Sequence, residues 1–340
     1  MTGIFRPKDE WANQALGLMS LALLAFGVLS KQITQPSLIN QPLQFLTEVV
    51  LLNTFHIVLT YAMLACVPEM KTWINERWGT TSDKFWLALF VVCFLFSNAF
   101  FFSVIGLQTY FPSLLWLLPF AMMIAPLFHG LWQIKGLSFM YHSSSTAAAA
   151  QNARALDGLL FRVLFAVIIM IGVTRIISDS PSSSFHTSAS QFGTFLLWLS
   201  FAIIGKIMWN SVSVDGFRIS GRPLFLIRLF IYPFYFFSPA AFFLASVLHG
   251  FEYFLFTRRM TSRTHVSTFQ FILINAVLTA AIALIWLATL RLKPGYGLIA
   301  LSGFLTSLTY IHYGLDRFLY RMRHPITRRL IGPLLVEDLN

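Results

Sequence analysis

Eight histidines occur in 340 residues of which only 11% are charged, and four of them fall inside long apolar stretches, where an ionisable group is costly to place. His56 closes the string NTFH near the middle of its run, more than about 10 Å from either end by the helical rise, too deep to snorkel. His129 lies in FHGLWQIKG with Gln133 four residues on, on the same helical face. His249 lies in LHGFEYF, where Glu252 and Tyr253 follow at i+3 and i+4 and point the same way. His312 lies in YIHYGLDRFLYR, next to Tyr313 and with Asp316 at i+4. Neutral imidazoles are good ligands for zinc and iron, and a carboxylate can ligate the ion or orient its ligands. The expected metal ligands are therefore His56, His129, His249 and His312. Glu252 or Asp316 completes or orients the shell, and Tyr253 or Tyr313 donates a hydrogen bond. The competing readings are structural: a buried His56 hydrogen-bonded to a neighbouring helix, and an interfacial salt bridge between Asp316 and Arg317 or Arg321.

The elements that must carry these groups are membrane spans. Hydrophobic residues make up 57% of the chain and the mean hydropathy is +0.71, whereas about 25% of the residues of a soluble globule are charged. The expected fold is all-α, a polytopic transmembrane helical bundle forming one membrane domain over residues 1–340. Nine apolar runs are long enough to cross about 30 Å of hydrocarbon. They lie near Ala15 to Ser30, Leu43 to Val67, Phe85 to Leu107, Pro112 to Trp132, Gly158 to Ile177, Phe192 to Trp209, Leu224 to Phe256, Thr268 to Leu290 and Tyr296 to Tyr320. The overlong run from Leu224 contains Pro233 and Pro239, the mark of a kinked helix or of a tight hairpin. A hairpin makes ten crossings and collects most Lys and Arg residues on one side, which the positive-inside rule makes cytoplasmic together with both termini. Arg291 and Lys293 then face outward. Without an obvious small-residue cleavage site, the first run reads as a retained anchor.

The net charge of +11 sits in short loops between the runs, where anionic lipid headgroups account for it and nucleic acid is not needed. Cys66 and Cys93 lie in apolar stretches without CxxC spacing, which indicates neither a disulfide framework nor a thiolate metal site. No internal repeat, heptad array or Walker motif is present. His142, His186, His265 and His324 fall in loops or beside span ends and read as solvated. Lys206, Arg228, Arg162 and Arg175 read as snorkelling residues near span ends.

With a hairpin at Pro239, the four spans holding His56, His129, His249 and His312 run in the same direction, which brings their histidines to comparable depth. At least three of the four are then expected to converge within about 8 Å between ring nitrogens, room for one metal or two bridged ones. The NTFH around His56, the HxxxQxxG of His129, Gln133 and Gly136, and the HYxxD of His312, Tyr313 and Asp316 resemble bacterial multi-span proteins with a histidine-rich core, of the carotene-cleaving Brp/Blh kind. The chain differs from histidine-box enzymes in having no HxxxH box. The resemblance implies a non-haem iron held by histidines and a β-carotene-like substrate. The expected function is a membrane-embedded iron oxygenase acting on a lipophilic, isoprenoid or acyl substrate, which the 36 phenylalanines would help to line. Zinc-assisted hydrolysis and haem ligation are the alternatives for the metal. A transporter passing protons or cations along Glu252, His249, Asp316 and His312 is the alternative from another class.

Overall fold

The computed structural model describes residues 4–7, 15, 18, 22, 54, 56–115, 117–138, 147–179, 186–215, 225–236, 241, 244–246, 248–250, 267–291, 295–319, 324–330 and 336–339. These residues are overwhelmingly helical. Five stretches have the length and apolarity of membrane spans: Ser82–Tyr110, Pro112–Gly136, Arg154–Ser178, Thr187–Ser211 and Tyr296–Leu319. The chain is a helical membrane protein, and it forms two compact units. One comprises Met1–Ile39, Met123–Leu248 and Val336–Asn340, the other Asn40–Met122 and His249–Leu335.

The second unit begins with α1 (His56–Cys66), which meets α2 (Pro68–Trp78) at an angle of 83°. The apolar run from Leu43 was expected to end at Val67, and the helix breaks there; the sequence supplies the reason. Pro68 removes a backbone donor and forces Val67 out of the helical region, to φ −90° and ψ 119°. The new helix has charged side chains, Glu69, Lys71, Glu76 and Arg77, where a spanning segment would have apolar ones. Gly79 stops α2 in the left-handed conformation at φ 61°, its N–H donating to the Asn75 carbonyl at 2.9 Å. Thr81 then caps α3 (Ser82–Tyr110), accepting from the Lys84 N–H at 3.5 Å.

Later in this unit come α7 (Thr268–Arg291), α8 (Tyr296–Leu319) and α9 (Pro325–Leu330). About 17% of the most apolar stretch of α3 is buried in the protein, against 56% for α8. Helix α3 therefore turns Leu87, Phe90, Phe94 and Phe102 outward to lipid, while α8 is the interior helix. The two pack closely because Gly303 has no side chain: a Cβ there would lie 2.9 Å from Phe100 Cδ1 and 3.0 Å from the Ser97 carbonyl oxygen. The Ser97 and Ser307 hydroxyls meet beside this contact at 3.4 Å. Phe100, Val104, Met122, Ile299 and Leu305 form the apolar core around it. At one end of the unit, Trp73 Nε1 donates to Thr327 Oγ1 at 3.0 Å and Arg329 pairs with Glu76, tying α2 to α9. Trp78 stacks on Phe85 and meets Phe318 edge-on, an aromatic group of the kind that sits at a headgroup boundary.

The first unit contains most of α4 (Leu117–Ser138), with α5 (Ala147–Asp179) and α6 (His186–Asp215). Phe161, Leu164, Ile168 and Ile171 of α5 and Leu196, Ile203, Ile204 and Ile207 of α6 are buried at helical spacing, and the two helices pack along their length. The stretch that contains Pro233 is a 3-10 helix, Ile227–Phe234, packed on α6 and α5; Pro239 lies outside the described residues. Arg228, expected to snorkel, is only 2% exposed, with its guanidinium 3.7 Å from the Phe225 ring centre. A planar, weakly hydrated cation can be held by an aromatic face inside the protein instead of reaching for water.

Besides the helices there are two four-residue strands. β1 (Ile4–Pro7) and β2 (Val336–Leu339) pair antiparallel, Ile4 opposite Leu339 and Pro7 opposite Val336. They set the first and last described segments of the chain side by side.

Candidate metal centre

Helix α8 is the scaffold of the site. On its buried face Ser302, Thr306, Thr309, His312 and Asp316 follow one another within a 120° arc at about 100° per residue, none more than 5% exposed. Apart from Ser307, which is buried against Ser97, the remaining faces are apolar, aromatic or outward, so the main polar side of this helix is turned to the interior of the unit. His312 Nδ1 stands 3.5 Å from Asp316 Oδ1, the i,i+4 contact that helical geometry provides. Arg317 is exposed and lies on a different face from Asp316; Arg321 is outside the described residues. Within the described helix the carboxylate is thus turned toward imidazole.

Helix α1 brings the second imidazole. Tyr61 Oη donates to the Leu308 carbonyl at 2.8 Å, one turn before His312, and so fixes α1 against α8. His56, one and a half turns earlier on α1, is 2% exposed. Its ring centre lies 5.0 Å from that of His312. His249, in the short helical stretch 248–250, brings the third, with ring centres 4.6 Å from His56 and 6.3 Å from His312. Gly250 lies beside His56: a Cβ added there would stand in ordinary van der Waals contact with His56 Cβ, at 3.6 Å. One nitrogen each of His249 and His312 and one carboxylate oxygen of Asp316 lie within 4.8 Å of one another.

Three imidazoles and a carboxylate buried together can do two things: share protons or hold a cation. Rings that ligate one ion at about 2.1 Å per nitrogen have their centres roughly 4.5 to 6.5 Å apart, and spacings of 4.6, 5.0 and 6.3 Å fall in that range. The donor set, nitrogen with one oxygen, suits iron and zinc. Tyr313 is half-buried, its ring 5.4 Å from that of His312, close enough for a hydroxyl-bearing neighbour of the cluster.

The other expected site residues are distributed as follows. His129 lies on α4 in the first unit, 8% exposed, with Gln133 equally buried one turn along. Glu252 and Tyr253 lie outside the described residues, as do His142 and His265. His324 is half-buried at the start of α9.

Two buried polar features were not foreseen. Asp157 is fully buried and accepts from Asn210 Nδ2 at 3.5 Å, across α5 and α6. Asn275 of α7 is fully buried within a helix of otherwise apolar character. An amide inside the apolar string ILINAVLTAAIALIWL was the available signal for the second, with no ionisable neighbour on its helix turn to mark it. Comparison with protein-family models, with curated proteins and with solved structures finds no match.

Proposed function

We propose that the protein is a membrane-embedded metal-dependent enzyme, best read as a non-haem iron oxygenase acting on a lipophilic isoprenoid or acyl substrate. The observation that carries this reading is the packing of the His56, His249 and His312 rings around one another with Asp316 beside His312, inside a helical unit otherwise made of apolar side chains. Such groups are expensive in a bilayer and are retained where they serve a function. His56, His249 and His312 would ligate the ion, and Asp316 would ligate it or hold the His312 ring in position. Iron, when bound, supplies oxygen chemistry that no side chain can perform. The chain's own part is to fix three imidazoles from three separate segments, to exclude water by burial, and to offer the Tyr313 hydroxyl as a hydrogen-bond donor near His312. The resemblance to Brp/Blh proteins agrees with this chemistry. The basic loops and the side-by-side strands fit a bacterial inner-membrane protein with both ends in the cytoplasm and an even number of crossings, ten among them.

The test is elemental analysis with an absorption spectrum of detergent-purified protein prepared without chelator, beside His56→Ala, His249→Ala and His312→Ala. The reading expects near-stoichiometric iron, with zinc as the second choice, lost in all three variants. Protein with neither metal nor a haem band overturns it. That outcome would favour a transporter in which these residues pass protons, a reading supported by the 83° break between α1 and α2, since transporter binding sites are built at broken helices.

A further inference from the structure

Helix α7 has one buried polar stripe, and it is not part of the histidine cluster. Phe271, Asn275, Thr279 and Ile282 succeed one another at i, i+4, i+8 and i+11, on one face. Ile282 packs against the core formed by Phe100, Ile299 and Leu305, so this face is turned toward α8. Asn275 is fully buried, and among the described residues neither its Nδ2 nor its Oδ1 has a hydrogen-bond partner. Thr279 Oγ1, one turn away, and Thr306 Oγ1 on the polar face of α8 are likewise buried without a partner.

The helical rise gives their depth. Asn275 lies 16 residues before Arg291, the end of α7, and His312 lies 16 residues after Tyr296, the start of α8. Each is therefore about 24 Å from the end of its helix that is nearer in sequence to the other, at a common level. Thr279 and Thr306 lie 12 and 10 residues from the same ends, about 18 and 15 Å along, next to each other in depth. Three unsatisfied polar groups thus occupy neighbouring levels on facing sides of two helices, beginning at the level of His312. A buried amide with both its donor and its acceptor unused is a cost that an apolar residue of the same shape would remove.

We propose that Asn275, with Thr279 and Thr306, is the subsite that hydrogen-bonds a hydroxyl or carbonyl group of the lipophilic substrate, and that the protein therefore selects an oxygen-bearing lipid over a hydrocarbon. This rests on the substrate class proposed above and makes it specific. The amide can donate to and accept from a hydroxyl, and the two threonine hydroxyls supply further donors where no water need enter.

The experiment is equilibrium binding of tritiated phytanol and of the matching hydrocarbon, phytane, to full-length protein in detergent, with Asn275→Leu and Thr306→Val beside wild type. Wild type is expected to bind the alcohol about tenfold more tightly than the hydrocarbon, the worth of one or two hydrogen bonds. Asn275→Leu should remove most of that preference, with a Tm no lower than wild type, and Thr306→Val should reduce it. Equal binding of the two probes, binding of neither, or a preference that survives Asn275→Leu overturns the proposal. So does a lowered Tm in Asn275→Leu, which would mark the amide as a structural partner. Metal content measured on the same samples separates the two readings: loss of the metal result with an intact alcohol preference sinks the metal centre and leaves the subsite.

Discussion

The two units bury polar groups for different ends. In the first, Asp157 of α5 meets the Asn210 amide of α6, and Arg228 lies over the Phe225 ring. These two ionic groups are each matched by an amide or aromatic neighbour suited to holding that charge, and the buried residues of α5 and α6 around them are largely aliphatic. In the second unit, groups of the same kind are gathered: three imidazoles and a carboxylate in one cluster, with an amide at the same depth on α7. A charge matched locally stabilises helix contact, whereas several ligands brought to one place are arranged for something that binds them. In a bilayer, where every buried polar group is costly, that difference in arrangement is the best guide to function.

The comparison makes its strongest demand on His312. His312→Ala should lower metal affinity by at least about 100-fold, since it removes the proposed ligand on the central helix together with the partner of Asp316. Asp157→Ala should leave metal content unchanged. If the two variants lose metal equally, the distinction between the units fails. The next effect is on Gly303. Gly303→Val should cost roughly 1 to 3 kcal/mol or more, because the added atoms meet Phe100 and the Ser97 backbone, and α8 must move. Its measure is a lower Tm in detergent accompanied by weakened metal binding. Asp157→Ala itself should cost about 1 to 3 kcal/mol by removing the acceptor that faces the Asn210 amide, and Asn210→Leu in that background should recover part of the loss. Smallest is Tyr61→Phe, which deletes the hydrogen bond to the Leu308 carbonyl and should cost roughly 0.5 to 1.5 kcal/mol. A drop in metal affinity larger than that stability change would show that the bond serves mainly to hold His56 toward His312.

How much of this could be read in advance depended on the range of the interaction. The pairing of His312 with Asp316 is a property of one helix and is visible as an i,i+4 spacing. The interior position of α8 is visible too, since Ser302, Thr306, Thr309, His312 and Asp316 repeat on one face. That His56 and His249 lie against His312 depends on α1 and the 248–250 segment packing there, and only equal depth hinted at it. The end of the apolar run at Val67 coincides with the break before Pro68, but the 83° angle was not legible, because hydropathy does not register backbone geometry. Arg228 was misread because a cation near the end of an apolar run ordinarily snorkels; the ring of Phe225, three residues before it, offered the alternative. The strands β1 and β2 join IFRP to VEDL, segments too short to carry a period and too far apart to suggest each other.

That last pairing has a consequence for how the molecule is made. Val336 follows Ile4 by 332 residues, and at a synthesis rate of about 5 to 20 residues per second the ribosome takes roughly 17 to 66 seconds to supply the partner of β1. For all that time the first strand waits with its edge open. The ribbon can close only after Val336–Leu339 has been made, so protection of the peptide bonds around Phe5 from an added protease should appear only once synthesis has passed that segment.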